Sequence, residues 1–422
     1  MNSRAALVLF WVSAAALAWS YLLYPLLMFL LAALRQVGRD LRFILRRGNR
    51  RNRPAGDFSP RVAMLVAAYN EAAVVGEKLR NTAALEYPAG KMEFLLGLDS
   101  PSDSTPELVR AFSHPAMRVF YFATRRGKLA VLRDLAGLTN ADILAFSDAN
   151  TMLEPDALRR LTRHFADPEV GAVCGELRVV SPGDHTPLES LYWRYEVALK
   201  FLENRMNCVL GANGAVYAVR RDLFHVDPRW IVEDFQLPME IRFAGHRVVY
   251  DPEALGSEEA APSFSSEFRR KVRIGAGDYL CLFTSPHYLN PLRGMPALAY
   301  VSHKVLRWMG PLFLVTAWAA SAWLAAAGNP AYLAAFAAQT IFYLLALAGF
   351  FRERGGQKAG RFTGLPFYFA GMNLALLAGL FRFLTGQQQG VWNATPRGAT
   401  AAATPPTAAV ADAKAPSQGE AP

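Results

Sequence analysis

Hydrophobic and polar residues divide the chain into apolar ends and a mixed centre. No charged residue occurs from Ala5 to Leu34, a stretch long enough to cross a hydrocarbon layer of roughly 30 Å. The alternative is a cleaved signal peptide, since Ser13–Ala18 resembles a cleavage site. A signal core has only about 7–15 apolar residues, and this run continues well past that length. The pattern therefore predicts an N-terminal transmembrane helix over residues 5–34.

Uncharged stretches of spanning length return near the C-terminus, at Met309–Ala327, Tyr332–Phe351 and about Leu365–Phe381. They predict about three transmembrane helices within residues 309–386. Asn373 and Arg382 leave an interfacial helix open as the alternative for the last one.

Two further segments flank these spans. Residues 286–308 mix apolar with basic side chains, including His303, Lys304 and Arg307, and predict an amphipathic helix on the membrane surface. Residues 387–422 form a tail in which Ala, Pro and Thr dominate from about Ala399. We expect disorder there, because such a composition cannot bury a core.

In residues 57–285, apolar runs of strand length alternate with helical segments. The runs that fit buried strands are Val62–Ala68, Phe94–Leu98, Val119–Phe122, Ile143–Phe146 and Val170–Cys174. This alternation is typical of βαβ units and predicts an α/β domain with a mostly parallel sheet. Later segments predict a long helix at Leu188–Met206, strands at Ala215–Val219 and Arg247–Tyr250, and a basic helix at Phe264–Phe283.

Charge changes the picture at one place. The net charge of +10 is concentrated after the first span, in a basic juxtamembrane segment of residues 35–56. Positive residues beside a span mark its cytoplasmic side and favour anionic lipid headgroups. The charge is thus explained by membrane lipids, and no nucleic-acid partner is expected.

The three cysteines, Cys174, Cys208 and Cys281, are widely spaced and odd in number. On the cytoplasmic side this pattern predicts buried free thiols, and it excludes zinc spacing.

Polar residues follow several predicted strands. Asn70 and Glu71 come after the first strand, Asp99 ends the second, and Asp148 and Asn150 follow the strand Ile143–Phe146. In wound α/β sheets, ligands bind outside the carboxyl ends of the strands. Asp148 and Asn150 are spaced so that both could reach one bound ion. For Asn150, capping of the following helix is an equal alternative.

Five short motifs occur in a fixed order: Ala68-Tyr69-Asn70-Glu71, Asp99, Gly127-Lys128, Ser147-Asp148-Ala149-Asn150 and Glu233-Asp234. The series resembles the family 2 glycosyltransferases, especially the membrane-embedded cellulose, hyaluronan and poly-N-acetylglucosamine synthases. The resemblance covers roughly residues 60–280 together with the flanking spans. It implies a GT-A-like nucleotide-sugar-binding domain flanked by transmembrane helices.

The resemblance also implies a donor site. Its nucleotide-binding residues would be Ala68, Tyr69, Glu71, Asp99, Lys128 and Asp148. Asp99 would contact the nucleobase, and Lys128 would lie on the nucleotide side unless it is a plain surface lysine. Glu71 would either touch the ribose or cap its helix.

A divalent cation, Mg²⁺ or Mn²⁺, is the implied cofactor. Asp148 would be one ligand; the family's second ligand is an Asp, and here it is Asn150. An amide oxygen can still coordinate, but it brings one negative charge less, so we expect weaker metal binding.

Catalysis is assigned to a second group of residues. Asp234 matches the last residue of the family's Thr-Glu-Asp motif, which here reads Val232-Glu233-Asp234, and would be the general base of an inverting displacement. Glu233 would orient the acceptor or raise the pKa of the base through like charge. The alternative is a helix start enriched in acids.

The family's Gln-x-x-Arg-Trp motif is reduced here to Arg270-Lys271-Val272-Arg273-Ile274. Arg273, with Arg270 nearby, would grip the diphosphate, unless these residues form only a solvated or lipid-facing basic stripe. The missing Trp removes a sugar-stacking surface and argues against processive polymerisation. Gly211, Ala212, Asn213 and Gly214 would shape the acceptor end of the pocket, or simply form a turn.

These assignments predict a multi-pass cell-membrane enzyme with its catalytic domain in the cytoplasm. It would transfer a sugar from a nucleotide sugar, with a UDP-sugar favoured, to a glycan or lipid-linked acceptor. Other subunits of a polysaccharide synthesis and export complex are candidate partners. The alternative from another class is a non-catalytic nucleotide- or glycan-binding scaffold subunit, which Asn150 and the reduced arginine motif would fit.

Overall fold

The computed structural model describes residues 2–46, 58–180, 187–260 and 263–386, with residues 46 and 187–192 described by their backbone alone. The part of the basic segment after residue 46, and the whole tail 387–422, lie outside the described residues.

Within the described residues, eight strands form one sheet in the order β3-β2-β1-β4-β7-β6-β8-β5. The strands are β1 (Val62–Ala68), β2 (Met92–Asp99), β3 (Met117–Phe122), β4 (Ile143–Phe146), β5 (Met152–Leu153), β6 (Val170–Val180), β7 (Tyr217–Arg220) and β8 (Arg247–Glu259). Four of the seven neighbouring pairs in this part of the chain are parallel. The predicted mostly parallel α/β sheet is confirmed.

The helices of the α/β domain are α3 (Val75–Ala83), α4 (Thr105–Arg110), α5 (Lys128–Gly137), α6 (Ala157–Thr162), α7 (Pro187–Arg205), α8 (Glu233–Phe243) and α9 (Phe264–Thr284). They are preceded by α1 (Ser3–Ala18) and α2 (Tyr24–Arg46), and followed by α10 (Met295–Ala299), α11 (Leu306–Trp308), α12 (Gly310–Ala326), α13 (Pro330–Arg354) and α14 (Gly364–Leu384).

The central strands are buried on both faces. All residues of β1 and β4 are buried, which explains why both strands are continuous apolar runs. Helices α3, α4 and α6 cover one face, and α5 and α8 cover the other. This packing leaves the carboxyl ends of β1, β2 and β4 free to carry a site.

Two strands run further than predicted. β6 continues from Cys174 to Val180, and β8 continues from Tyr250 to Glu259, where the two strands stay paired. The extensions are mostly half-buried or exposed. Because only one side packs against protein, they lack the continuous apolar pattern on which the prediction relied.

Three helices among the described residues are long and apolar enough to cross a membrane: Ser3–Leu45, Pro330–Arg354 and Gly364–Leu384. A fourth span results if the bent pair of Met295–Trp308 and Gly310–Ala326, which meet at 59°, crosses as one unit. A π-helical turn at Trp19–Leu23 joins α1 to α2.

The segment 286–308 differs from the predicted single amphipathic helix. It consists of short helical turns, with a π-helical stretch at Tyr300–Val305. His303 and Arg307 are buried and point into the protein, where both contact Glu196 of α7. The carboxylate of Glu196 gives both side chains a partner inside the protein, and a periodicity argument cannot foresee such a distant partner.

Candidate active site

Lys128 lies at the centre of the site. It is the first residue of α5, and it follows Gly127, whose φ of 86° favours glycine. Its Nζ lies 2.8 Å from Oδ1 of Asp148 and 2.9 Å from Oε1 of Glu233. Burial opposes the charge, but the two carboxylates raise the pKa of Lys128 above its ordinary value. Lys128 is therefore not a plain surface lysine. Its ammonium connects Asp148, the predicted metal ligand, to Glu233 of the predicted catalytic motif.

Asp99 holds the turn that presents Lys128. Its buried carboxylate accepts hydrogen bonds from the backbone N–H groups of Arg126, at 2.7 Å, and Gly127, at 2.8 Å. Two backbone donors on one carboxylate fix the start of α5. Contact between Asp99 and a nucleobase stays a prediction.

The loop after β1 brings the next group together. Ala68 is buried at the strand end, and the guanidinium of Arg125 lies 3.6 Å from the ring centroid of Tyr69. Asn70 adopts a φ of 51°, and its Oδ1 accepts a hydrogen bond from the backbone of Ser102 at 2.8 Å. Glu71 is buried, and its backbone carbonyl accepts from Val74 and Val75 at the start of α3. The Asn70–Ser102 hydrogen bond therefore ties the loop after β1 to the loop that follows Asp99.

Asn150 does not cap the following helix. That helix, α6, begins at Ala157, and Asp156 is its N-cap residue, so the capping alternative is wrong. The side-chain amide of Asn150 instead donates to Oε2 of Glu258 on β8 at 3.1 Å. Sequence patterns did not suggest this partner, which lies 108 residues away along the chain.

The residues present fit a divalent cation that is shared with a phosphate ligand. Oδ1 of Asp148 faces a cation, the ammonium of Lys128, and Asn150, two residues further along the same loop, has an amide oxygen that could coordinate. Among the described residues no group of three or more His, Cys, Asp or Glu side chains could hold a metal. Mg²⁺ is commonly bound by one or two carboxylates plus substrate phosphates, which this donor set matches.

Asp234 is packed against the glycine turn. A Cβ on Gly214 would lie 2.8 Å from Oδ2 of Asp234, and one on Gly211 would lie 2.8 Å from the Phe235 ring. The backbone N–H of Ala212 donates to the Asp234 carbonyl at 2.9 Å. These glycines are needed for close approach, because neither adopts a positive φ. The turn therefore contacts the predicted base directly.

Electrostatics single out the same carboxyl group. Burial and the neighbouring charge of Glu233 raise the pKa of Asp234 to about 6, while Lys128 opposes the rise. A general base is most effective when its pKa lies near the working pH.

The two predicted diphosphate arginines differ in their surroundings. Arg270 forms paired hydrogen bonds of 2.8 Å and 2.9 Å with Glu267 one turn earlier. Burial lowers the pKa of Arg273, and the charges of Glu233 and Asp234 oppose this shift. Of these two arginines, Arg273 is the one that interacts electrostatically with Glu233 and Asp234.

Lys78 was not predicted. It lies on the buried side of α3, and its Nζ donates to Oγ of Ser147 at 2.7 Å and to the carbonyl of Thr151 at 2.6 Å. Burial lowers the pKa of Lys78 to about 7, and Asp148 opposes the shift. The available signal was a lysine at a position where the helical pattern demands an apolar residue.

Sequence comparison places this geometry in a family. A profile described as "Glycosyltransferase like family 2" matches residues 60–277, just over half of the chain. The chain belongs to the family 2-like glycosyltransferases. The matched residues contain β1 through most of α9, and with them every predicted site residue.

Individual relatives are distant. The probable glycosyltransferase YdaM of Bacillus subtilis (strain 168) is 24% identical, over 52% of this chain and 55% of its own length. The beta-monoglucosyldiacylglycerol synthase of Trichormus variabilis (strain ATCC 29413 / PCC 7937) is 26% identical, over 52% of this chain and 49% of its own. The chain thus spans about half the length of these curated relatives.

A solved structure covers more. The mannosyltransferase PcManGT from Pyrobaculum calidifontis, solved with GDP-Man and Mn²⁺, matches 90% of this chain and 100% of its own with a TM-score of 0.68. At 23% identity the likeness shows the fold. It confirms the GT-A-like architecture and extends over the candidate membrane helices.

Proposed function

We propose that this protein is an inverting glycosyltransferase of the membrane's cytoplasmic face, which transfers a sugar from a nucleotide-sugar donor to a lipid or polysaccharide acceptor. The observation that carries the proposal is the Lys128 ammonium, which bridges Asp148 and Glu233 beside the carboxyl group of Asp234. Binding of GDP-Man by PcManGT, a structure with the same fold, supports the nucleotide-sugar donor.

Asp148 and Asn150 would hold Mg²⁺ or Mn²⁺ together with the donor diphosphate. When bound, the cation would neutralise negative charge on the leaving diphosphate. Lys128 would then lie between the donor phosphates and the Glu233 carboxylate, and Arg273 would add a second positive charge on the side of α9.

The reaction balances with residues of this chain. Asp234 takes the proton of the acceptor hydroxyl, whose oxygen forms a bond to the anomeric carbon. The bond from that carbon to the diphosphate oxygen breaks, and the diphosphate leaves with the electron pair. With a pKa of about 6, Asp234 is mainly deprotonated at neutral pH and ready to accept the proton.

Contacts between α9 and α14 favour a lipid acceptor. A Cβ on Gly275 of α9 would meet the side chain of Leu376 at 3.2 Å, and one on Gly379 of α14 would meet the Ala276 backbone at 2.9 Å. Small residues allow such close helix packing. The helix that carries Arg273 therefore packs directly against a candidate membrane span, which supports an acceptor drawn from the membrane.

Basic residues support the cytoplasmic side. Arg35, Arg39 and Arg42 follow the apolar part of the first span on α2.

The test is turnover by the purified full chain in lipid nanodiscs. UDP- and GDP-sugars are supplied one at a time with diacylglycerol, a polyprenyl phosphate or oligosaccharides, in the presence of Mn²⁺, Mg²⁺ or a chelator. We expect release of the nucleoside diphosphate and a glycosylated acceptor with at least one donor, and loss of both on chelation. Metal-independent turnover would contradict the metal assignment, and nucleotide binding without any turnover would favour a scaffold subunit.

A further inference from the structure

The buried lysine of α3 has a specific arrangement around it. Val75, Lys78, Leu79 and Thr82 form the buried side of the helix, and Lys78 is 1% exposed. Placing an amine there costs free energy unless its donors are satisfied. Hydrogen bonds from the Lys78 ammonium therefore have to offset the cost of burying it.

Its two acceptors lie on either side of the predicted metal ligands. Lys78 Nζ bonds Ser147 at 2.7 Å and the Thr151 carbonyl at 2.6 Å, so the stretch from Asp148 to Asn150 is tied down at both ends. This loop begins where β4 ends.

One turn further along α3, the side chain of Asn81 also binds this loop. Its Nδ2 donates to the Leu153 carbonyl at 2.8 Å, and its Oδ1 accepts from the Leu153 N–H at 2.9 Å. Helix α3 therefore holds the loop from residue 147 to residue 153 through the side chains of two of its residues.

We propose that Lys78 is a positioning residue, which fixes the shape of the Asp148 loop so that the loop can bind a divalent cation together with a nucleoside diphosphate. The proposal rests on the proposed function, in which that loop holds the cation. Lys78 makes its hydrogen bonds beside Asp148, and Asp148 Oδ1 is left directed at Lys128. The role is therefore in positioning, and the reacting atoms are contacted by other residues.

Two effects of Lys78 have opposite signs, which makes the proposal testable. A positive charge near Asp148 would weaken cation binding, so its removal would tighten binding. Hydrogen bonds that shape the loop would strengthen cation binding, so their removal would weaken it. Partners behind metal ligands are typically worth about 10- to 100-fold in metal affinity, so we expect the second effect to dominate.

The experiment measures Mn²⁺ affinity rather than activity. The full chain is titrated with Mn²⁺ in the presence of GDP or UDP, and free Mn²⁺ is followed by electron paramagnetic resonance. We expect Lys78→Met, which removes the ammonium and keeps an unbranched apolar stem, to weaken Mn²⁺ binding by about 10- to 100-fold. Unchanged or tighter Mn²⁺ binding by this variant would overturn the proposal.

A matched control separates positioning from general stability. Thr82→Val lies one turn away on the same buried side, and the Thr82 hydroxyl bonds only the Lys78 carbonyl of its own helix among the hydrogen bonds described. It should change the melting temperature without changing Mn²⁺ affinity. An equal loss of Mn²⁺ affinity in Thr82→Val would show that any damage to α3 suffices, against the proposal.

Ser147→Ala covers the case in which Lys78→Met does not fold. It removes one acceptor of Lys78 and should weaken Mn²⁺ binding in the same direction, while unchanged affinity would contradict the proposal. If both variants fold, the double variant should lose less affinity than the two single losses combined, because they remove one shared interaction. Strictly additive losses would refute that coupling.

Two results separate the positioning role of Lys78 from the metal dependence of the protein. Wild-type protein that binds no Mn²⁺ with either nucleotide contradicts the metal-dependent function, and the positioning role falls with it. Wild-type binding that Lys78→Met leaves intact overturns the positioning role alone.

Discussion

The pKa of Asp234 should move in opposite directions when its two charged neighbours are neutralised. Glu233 raises this pKa through like charge, and Lys128 lowers it through opposite charge. Glu233→Gln should therefore lower the pKa of Asp234, and Lys128→Met should raise it. As a general base works only when deprotonated, activity should fall as the pH drops through this pKa.

The size of the effect follows from the shift itself. The pKa of Asp234 rises from 3.8 to about 6, which corresponds to about 3 kcal/mol in favour of the protonated form. Burial is the largest cause, and Glu233 the next. Removing this like charge beside the base should move the acidic limb down by about one pH unit, or about 1.4 kcal/mol.

The assay is the pH dependence of kcat/KM for the donor, measured from about pH 5 to about pH 8. Wild-type activity should rise with pH through about 6, with the limb displaced downward in Glu233→Gln and upward in Lys128→Met. The absolute rate will fall in both variants, but the position of the limb does not depend on that fall. Limbs that stay in place, or that move in the same direction, would show that another group is the base.

Three further predictions concern single residues. Gly214→Ala should lower kcat by about 10- to 100-fold without weakening nucleotide binding, since the new Cβ would lie 2.8 Å from Asp234 Oδ2. The matched control for steady-state rates is Gly137→Ala, whose new Cβ would meet nothing within 4 Å. Asn150→Asp adds a carboxylate to the metal loop and should tighten Mn²⁺ binding in calorimetry; weaker binding would argue against its place in the metal site. Arg273→Ala should reduce kcat by about 10²- to 10³-fold if its guanidinium stabilises the leaving diphosphate, and an unchanged kcat would remove it from the site.

Burial on both faces is the reason that part of the fold could be predicted. β1 and β4 are continuous apolar runs because helices cover each side of the sheet, so their positions follow from composition alone. The second halves of β6 and β8 are only partly buried. Their polar residues interrupt the apolar run, so the sequence pattern did not predict them as strands.

The same distinction applies to the candidate site. The positions of Asp99 and Asp148 at strand ends and of Asp234 at a helix start could be predicted, because strand ends and helix starts are local features of the chain. The hydrogen bond of Asn150 to Glu258 joins residues far apart in the chain, and no local pattern encodes it. Lys78 could not be assigned a role from the sequence, because the role of a lysine on the buried side of a helix depends on its hydrogen-bond acceptors, which only the structure shows.

Asp234→Asn asks whether Asp234 is the base of glycosyl transfer, because it removes the proton acceptor and keeps the shape of the side chain. The measurement is single-turnover sugar transfer by the full chain in nanodiscs, with donor binding followed in parallel. We expect a transfer rate lower by about 10²- to 10⁴-fold with donor affinity largely retained. Transfer at the wild-type rate in Asp234→Asn would contradict it.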